Sequence, residues 1–560
     1  MRTRLLCAVL PGLLCHGPLA AADAAADLKL PPVELPKDRI SALSRMQIKS
    51  FRFTGNTVFS DETLLAQIKG YQRSISAEEL QEVRNILTRY YIEAGYINSG
   101  ALIPDQEIQD QQVLIQIVEG HLTQINLQNQ DSLRLRESYL TRRLAFDDTQ
   151  PLNTNTLQER LQILQQNPLI RRFNAELGPG IQAGEAVLNL EITEERPYEF
   201  GLTVNNHRSP SVGSLALEGE ARHRNLTGWG DSLYVRTGLT EGINEYSLEY
   251  ILPITRHDTT LELSAERSDS NVISTPFNEL DITSQAETYA LRLRHPFLKS
   301  YQNLNYRVFD MGLGLEKRRS ETGLLGLPFD FSPGVQEGVS KITALRFSQN
   351  WLDRSRNRVV AVASTFGFGI DALDATINDG FNAQTGAPTV EPDSRFTLWL
   401  GQFRWIERLP TVLDSQLWLR ADFQYSRDPL LPLEKFVIGG ASSVRGYREN
   451  QLTRDKGMVL SLEWQVPLPG VQLRIPKLST QEGDGAVFLA PFIDYGWGKN
   501  HDVATPTPTH IASVGLGVIW AINRQLRTEL YWGHPLRQLE KPEDYDWQDD
   551  GLHFSLQAHF

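Results

Sequence analysis

The sequence predicts two kinds of structure in succession: small α+β units, then an all-β transmembrane barrel of about 16 antiparallel strands. Three observations carry this. Residues 197–560 repeat segments of about ten residues in which apolar and polar side chains alternate, as in a strand with one lipid face and one wet face. The connections between those segments alternate between tight and long. Ahead of them, residues 46–196 hold two successive copies of one pattern: strand, helix, helix, strand, strand.

The chain has 560 residues, 41% of them hydrophobic, and a net charge of −13. That length exceeds one ordinary domain, and that hydrophobic content excludes a disordered chain. The acidic balance argues against nucleic acid as a partner. Residues 1–22 read as a signal peptide: Arg2 and Arg4, then an apolar centre, then Ala20, Ala21 and Ala22 as a small-residue cleavage site. Both cysteines, Cys7 and Cys15, fall within it, and Leu14 departs from the small residue that a lipoprotein signal needs before its cysteine. No run of 18 apolar residues follows, so a membrane role must rest on a barrel. Residues 23–45, with Pro31, Pro32 and Pro36, read as an extended periplasmic linker without a convincing helix.

The first α+β unit is placed at 46–120. Ile48, Phe51 and Phe53 form a strand before the turn at Gly55 and Asn56. Ser60 with Thr63 opens a short helix, and Ser76 with Glu79 makes a capping box. Leu80, Val83, Ile86, Leu87 and Tyr90 follow at helical spacing as far as Gly95. Residues 97–103 and 111–118 read as two more strands. The second unit, 121–196, repeats the order with a strand at 122–127, helices at 133–144 and 153–166, and strands at 171–177 and 186–192.

In the barrel segment, Tyr246, Leu248, Tyr250 and Leu252 alternate with polar neighbours, and so do Leu552, Phe554, Leu556, Ala558 and Phe560. Tight links are expected near 253–258, 351–357 and 522–524, and long ones over 270–284, 318–339, 371–392, 427–456 and 534–550. The loop at 427–456 is too long for an ordinary hairpin and is read as functional. It contains FVIGGASSVRGYREN, with Val444, Arg445, Gly446 and Tyr447 at its centre. A second stretch, FIDYG, places Phe492, Asp494 and Gly496 on one face of a strand, with Asp494 in the lumen if Tyr495 faces lipid. A guanidinium deep in a lumen needs a carboxylate, and its planar fork suits a bidentate pair. No catalytic constellation, metal-ligand spacing or phosphate loop is present, so no enzyme, metal or cofactor is expected. His207, His223 and His257 lack metal-like spacing to one another.

These motifs resemble the POTRA-barrel superfamily of Gram-negative outer membranes. FRFTGNTVFS, AGYINSGALIPDQEI, VEGHLTQINL and NPLIRRFNAELGPG are similar to POTRA domains, and VRGY with FIDYG resembles the inward loop and barrel-wall motifs. A signal, two POTRA units and one barrel resemble the transporters of two-partner secretion, the haemolysin and filamentous-adhesin secretors. The resemblance implies export of one large exoprotein, captured through its N-terminal secretion domain by the periplasmic units and conducted by the barrel. It implies that Arg445 pairs with Asp494 to hold the loop inside, and that Phe560 acts as an assembly signal. The implied partners are the exoprotein, outer-membrane lipid and, during biogenesis, the barrel-assembly machinery and periplasmic chaperones. A general barrel or autotransporter assembly factor and a passive porin are the alternative readings.

Overall fold

The computed structural model describes residues 28–29, 45–128, 133–146, 150–378, 380 and 391–560. The expected signal peptide and nearly all of the linker lie outside the described residues. The chain divides into two compact units, one ending at Glu195 and one spanning Arg196–Phe560.

The N-terminal unit contains the repeat. Its first copy runs Ser50–Thr54 (β1), Asp61–Gln67 (α1), Ala77–Glu93 (α2), Gly100–Leu102 (β2) and Gln112–Val118 (β3). The second runs His121–Leu127 (β4), Glu137–Leu144 (α3), Thr154–Gln165 (α4), Ile170–Pro179 (β5) and Glu185–Glu194 (β6). Both sheets share one topology: the last strand lies in the middle, parallel to the first and antiparallel to the second. Helix α2 starts where the Ser76 side chain and Glu79 satisfy each other's backbone donors, and it buries Leu80, Val83, Leu87 and Tyr91 along one stripe. In the second copy Leu140, Leu157 and Leu161 meet Leu188 and Leu190 of β6 in one core.

Two expectations here need correction. The helix expected from 133 starts only at Glu137, because the Glu194 carboxylate accepts the N–H groups of Arg134 (3.0 Å) and Leu135 (2.7 Å) and holds them outside the helix. The strand expected over 97–103 shrinks to Gly100–Leu102. Ser99 N–H closes a turn onto the Tyr96 carbonyl, and the Asn98 amide reaches across to the Gly184 carbonyl at 2.7 Å.

The second unit is a closed antiparallel barrel. Its sixteen strands are Tyr198–Asn205 (β7), Ala216–His223 (β8), Ser232–Leu239 (β9), Ile243–Pro253 (β10), Thr260–Asn271 (β11), Thr283–Gln302 (β12), Asn305–Leu324 (β13), Val339–Arg354 (β14), Arg358–Ile370 (β15), Thr397–Leu409 (β16), Ser415–Ser426 (β17), Lys456–Gln472 (β18), Ala486–Lys499 (β19), His510–Ala521 (β20), Leu526–Pro535 (β21) and Leu552–His559 (β22). β7 pairs with β22 to close the ring, and the last residue, Phe560, exchanges backbone hydrogen bonds with Phe200 across this seam.

Alternation separates the two faces, and exposure assigns them. Leu291, Leu293, Leu313, Leu460, Leu462, Leu516 and Trp532 are exposed on the outside, while Glu316, Arg346, Asp422, Glu463 and Asp494 are buried inside. A surface apolar in a band and a charged interior suit lipid outside and polar chemistry within. No helix among the described residues is long and apolar enough to cross a membrane. The loop expected at 318–339 begins later, since β13 keeps pairing with β12 as far as Gly323. Lys317, Arg318, Arg319 and Glu321 hide that strand from a pattern search, because charge occupies both of its faces.

Candidate functional site

The loop between β17 and β18 folds into the barrel. Its stalk is a short hairpin in which Phe436–Ile438 pairs with Leu452–Arg454. Phe436, Ile438, Val444, Tyr447 and Leu452 cluster against Val459 of β18 and Ile511 of β20, so the tip carries its own small apolar core inside a polar lumen.

Arg445 stands at the centre of the tip. Its Nε donates to Asp494 Oδ2 at 2.8 Å and its Nη2 to Oδ1 at 2.9 Å, a bidentate pair, while its backbone N–H also reaches Oδ2 at 3.0 Å. Ser461, directly across from Asp494 in the β18–β19 register, donates to Asp494 Oδ1 at 2.6 Å and accepts from Arg445 Nη2 at 3.2 Å. Arg445 Nη1 donates to Glu463. The guanidinium lies 3.6 Å from the Phe492 ring centroid and 4.8 Å from that of Tyr531. One cation is thus held between two carboxylates and two aromatic faces, so that charge-assisted hydrogen bonds and cation–π contacts act on it together.

The neighbouring motif residues fix the backbone. Gly446 has φ +89° and lies against the main chain of β21; a Cβ there would sit 2.7 Å from the Gly533 carbonyl oxygen. Its N–H donates to His553 Nε2 at 3.2 Å. The Tyr447 hydroxyl lies 3.0 Å from the Ala512 and Arg537 carbonyl oxygens and accepts the Arg537 N–H at 3.2 Å. On the wall, Gly496 leaves room for the loop: a Cβ there would be 2.3 Å from Ile438 Cγ2. Just past the tip, Arg448 makes two bonds to Asp549, and the Glu449 N–H donates to Gln548 Oε1 at 2.9 Å. The Gln548 amide donates in turn to the carbonyls of Asn206 (2.6 Å) and Arg208 (2.8 Å), beside the β7–β22 seam.

The structure therefore brings Val444, Arg445, Gly446, Tyr447, Phe492, Asp494 and Gly496 together, and places Phe560 apart from them, exposed at the seam. Sequence reasoning did not single out Ser461, Glu463, Tyr531, His553, Gln548 or Asp549. Strand parity of Glu463 and Ser461 was a usable signal, since both share the inward face. The last four come from other strands and from the final loop, and only barrel closure delivers them. No group able to hold a metal ion occurs among the described residues.

A family model described as haemolysin secretion/activation protein ShlB/FhaC/HecB matches residues 184–519, and a POTRA domain of ShlB type matches residues 46–120. The chain is 23% identical over 497 residues to the outer membrane transporter CdiB of Dickeya dadantii, covering 87% of this chain and 82% of that one. It is 21% identical over 482 residues to the heme/hemopexin transporter protein HuxB of Haemophilus influenzae, covering 84% and 80%. Among solved structures it resembles CdiB from Escherichia coli, with a TM-score of 0.67 and 19% identity over 98% of this chain and 94% of the other.

Proposed function

The chain belongs to the haemolysin secretion/activation protein family of outer-membrane transporters, and on that premise we propose that it exports one cognate exoprotein through its barrel. The observation that carries the reading is the loop tip buried on the Arg445–Asp494 pair inside a closed barrel, downstream of a POTRA domain. A passive pore has no use for a charged latch on an inward loop. The periplasmic units, 46–120 and 121–196, take the client's N-terminal secretion domain as an added strand on a sheet edge; backbone bonds supply affinity and side-chain pockets choose the partner. The loop then leaves the lumen, and the client passes outward unfolded, without nucleotide hydrolysis. Residues 1–22 are removed on export to the periplasm, and Phe560 marks the chain for the barrel-assembly machinery after periplasmic chaperones deliver it.

The test is a comparison of culture supernatants and outer membranes from cells with and without this chain. Loss of one large exoprotein from the medium, restored by complementation and with other barrels at normal levels, is the expected result. A broad fall in outer-membrane barrels would make the chain an assembly factor instead. An unchanged supernatant would remove the export reading.

A further inference from the structure

The loop is held at a second place, far from its tip. Where it leaves β17, Leu430 and Leu431 are fully buried against Ile342 and Ala344 of β14 and Phe396 and Leu398 near β16. Pro432 then starts a single 3-10 turn, Pro432–Glu434, that sets Glu434 against β13 and β14 of the same stretch of wall. Glu434 Oε1 accepts from Arg346 Nη2 at 2.6 Å and lies 3.4 Å from Arg318 Nη1, and Arg318 also donates to the Leu433 carbonyl at 2.8 Å. Both partners of the closest pair are buried, with side-chain exposures of 9% for Arg346 and 0% for Glu434. Gln424 bonds the Glu434 carbonyl at 2.9 Å, and Asp455, at the loop's far end, accepts the Leu430 N–H.

The charges explain why the loop supplies an acid here. Strands β12, β13 and β14 bring Arg292, Arg318 and Arg346 around one carboxylate of their own, Glu316. Arg292 also shares its cavity with Glu249, whereas Arg318 and Arg346 both lean on Glu316, and the carboxylate of Glu434 gives those two guanidinium groups a second acid. The ring separates the two ends of the loop. In strand order Arg318 and Arg346 stand on the seventh and eighth strands, whereas Gly446 and Arg445 rest on the twelfth to sixteenth. Base and tip are fastened to different sides of the barrel.

We propose that Glu434 is a second anchor of the loop, so that the loop is a strut across the lumen which must be released from the Arg318–Arg346 wall as well as from Asp494. Glu434 is a positioning residue: it holds the loop's first limb, and the arginine cluster it leaves behind draws it back. The inference rests on the reading of this loop as an obstacle to export, but its test uses no client and so stands or fails separately.

The experiment uses the full chain in isolated outer membranes, with a single reporter cysteine and a bulky, membrane-impermeant maleimide. The chain's own cysteines, Cys7 and Cys15, lie in the segment read as a removed signal. Leu433→Cys reports the base and Ala441→Cys the tip. Glu434→Gln should raise labelling at Leu433→Cys by about tenfold, the shift that losing a charge-assisted hydrogen bond supports, with labelling at Ala441→Cys changed by less than about twofold. Combining Glu434→Gln with Arg445→Ala should raise both. Should Glu434→Gln lose the heat-modifiable gel shift of an assembled barrel, Arg346→Gln is read at the same two positions with the same expectation. No change at Leu433→Cys, or an equal rise at both positions, overturns the proposal.

Discussion

The two units of this chain use the same strand period in opposite senses. In β6 the inward positions are Leu188, Leu190 and Ile192, and they meet leucines from two helices in a dry core. In β19 the inward positions are Phe492, Asp494 and Gly496, while Ile493 faces out and is half exposed. Period two therefore sets which residues share a face and says nothing about which face is inside. What settles it is the company each strand keeps: helices at 3.6 spacing beside the first kind, only more strands and turns beside the second. The difference also changes what holds each interior together. The N-terminal cores gain their stability from apolar burial, whereas the barrel wall is kept by its backbone ladder and its lumen by ion pairs on an inserted loop.

That contrast gives its largest test at Arg445. Arg445→Ala removes a cation from between Asp494 and Glu463, at a cost of at most about 3–5 kcal/mol if the site stays dry. The sixteen-strand ladder does not depend on it, so secretion should fall at least about tenfold while the protein remains heat-modifiable in the outer membrane. Leu140→Ala, in a fully buried position of the second α+β copy, should do the reverse: a loss of about 2–5 kcal/mol in the thermal stability of that unit, with the barrel's gel shift unchanged. An unfolded barrel in the first variant would mean that the wall depends on the ion pairs in its lumen.

Asp494→Ala removes only one of the two carboxylates on Arg445. Glu463 still faces Arg445, so this variant should export more than Arg445→Ala does. The double variant should resemble Arg445→Ala alone, because both substitutions cut one interaction. Secretion losses that simply multiply would mean that the two residues act independently. Deleting Phe560 should act more weakly still, lowering the assembled amount and not the activity per assembled barrel, since it lies at the seam away from the loop tip.

How much of this was legible beforehand depends on where each signal sits in the chain. The capping box at Ser76 and Glu79 is local, and so is the alternation that sets Phe492, Asp494 and Gly496 on one face. The start of α3 was not, because Glu194, about 60 residues downstream, decides it. The site divides the same way. Parity groups Ser461 with Glu463 and Asp494 with Phe492 and Gly496, and the leucines alternating with Ser461 and Glu463 mark their face as the inward one, but the positions of Tyr531 and His553 beside the loop tip exist only once the ring closes. Glu434 looked like any loop acid. Its meaning lies in Arg318 and Arg346, which two neighbouring strands bring together on it and which no single segment displays.

The smallest expected effect concerns acid in the N-terminal unit. Glu119 follows β3 and accepts hydrogen bonds from the Thr57 N–H (2.8 Å), the Val58 N–H (2.9 Å) and the Tyr91 hydroxyl (2.9 Å), tying the first turn of the first copy to its last strand. Burial pushes its carboxyl up, but the hydrogen bonds from the Thr57 hydroxyl, the Val58 and Thr57 N–H groups and Tyr91 outweigh that, and the group titrates below the ordinary carboxylate range. A folded value lower than the unfolded one means the contribution is fully present above the unfolded value, about 4.3 for a glutamate. It is lost as pH falls from there through the folded value. The wild-type unit should therefore melt at a higher temperature than Glu119→Gln at neutral pH, and the gap should close on acidification below that point. A glutamine keeps one acceptor oxygen, so the gap at neutral pH should be modest. A gap of equal size on both sides of the window would show that packing of the side chain, and not its charge, is what holds the turn.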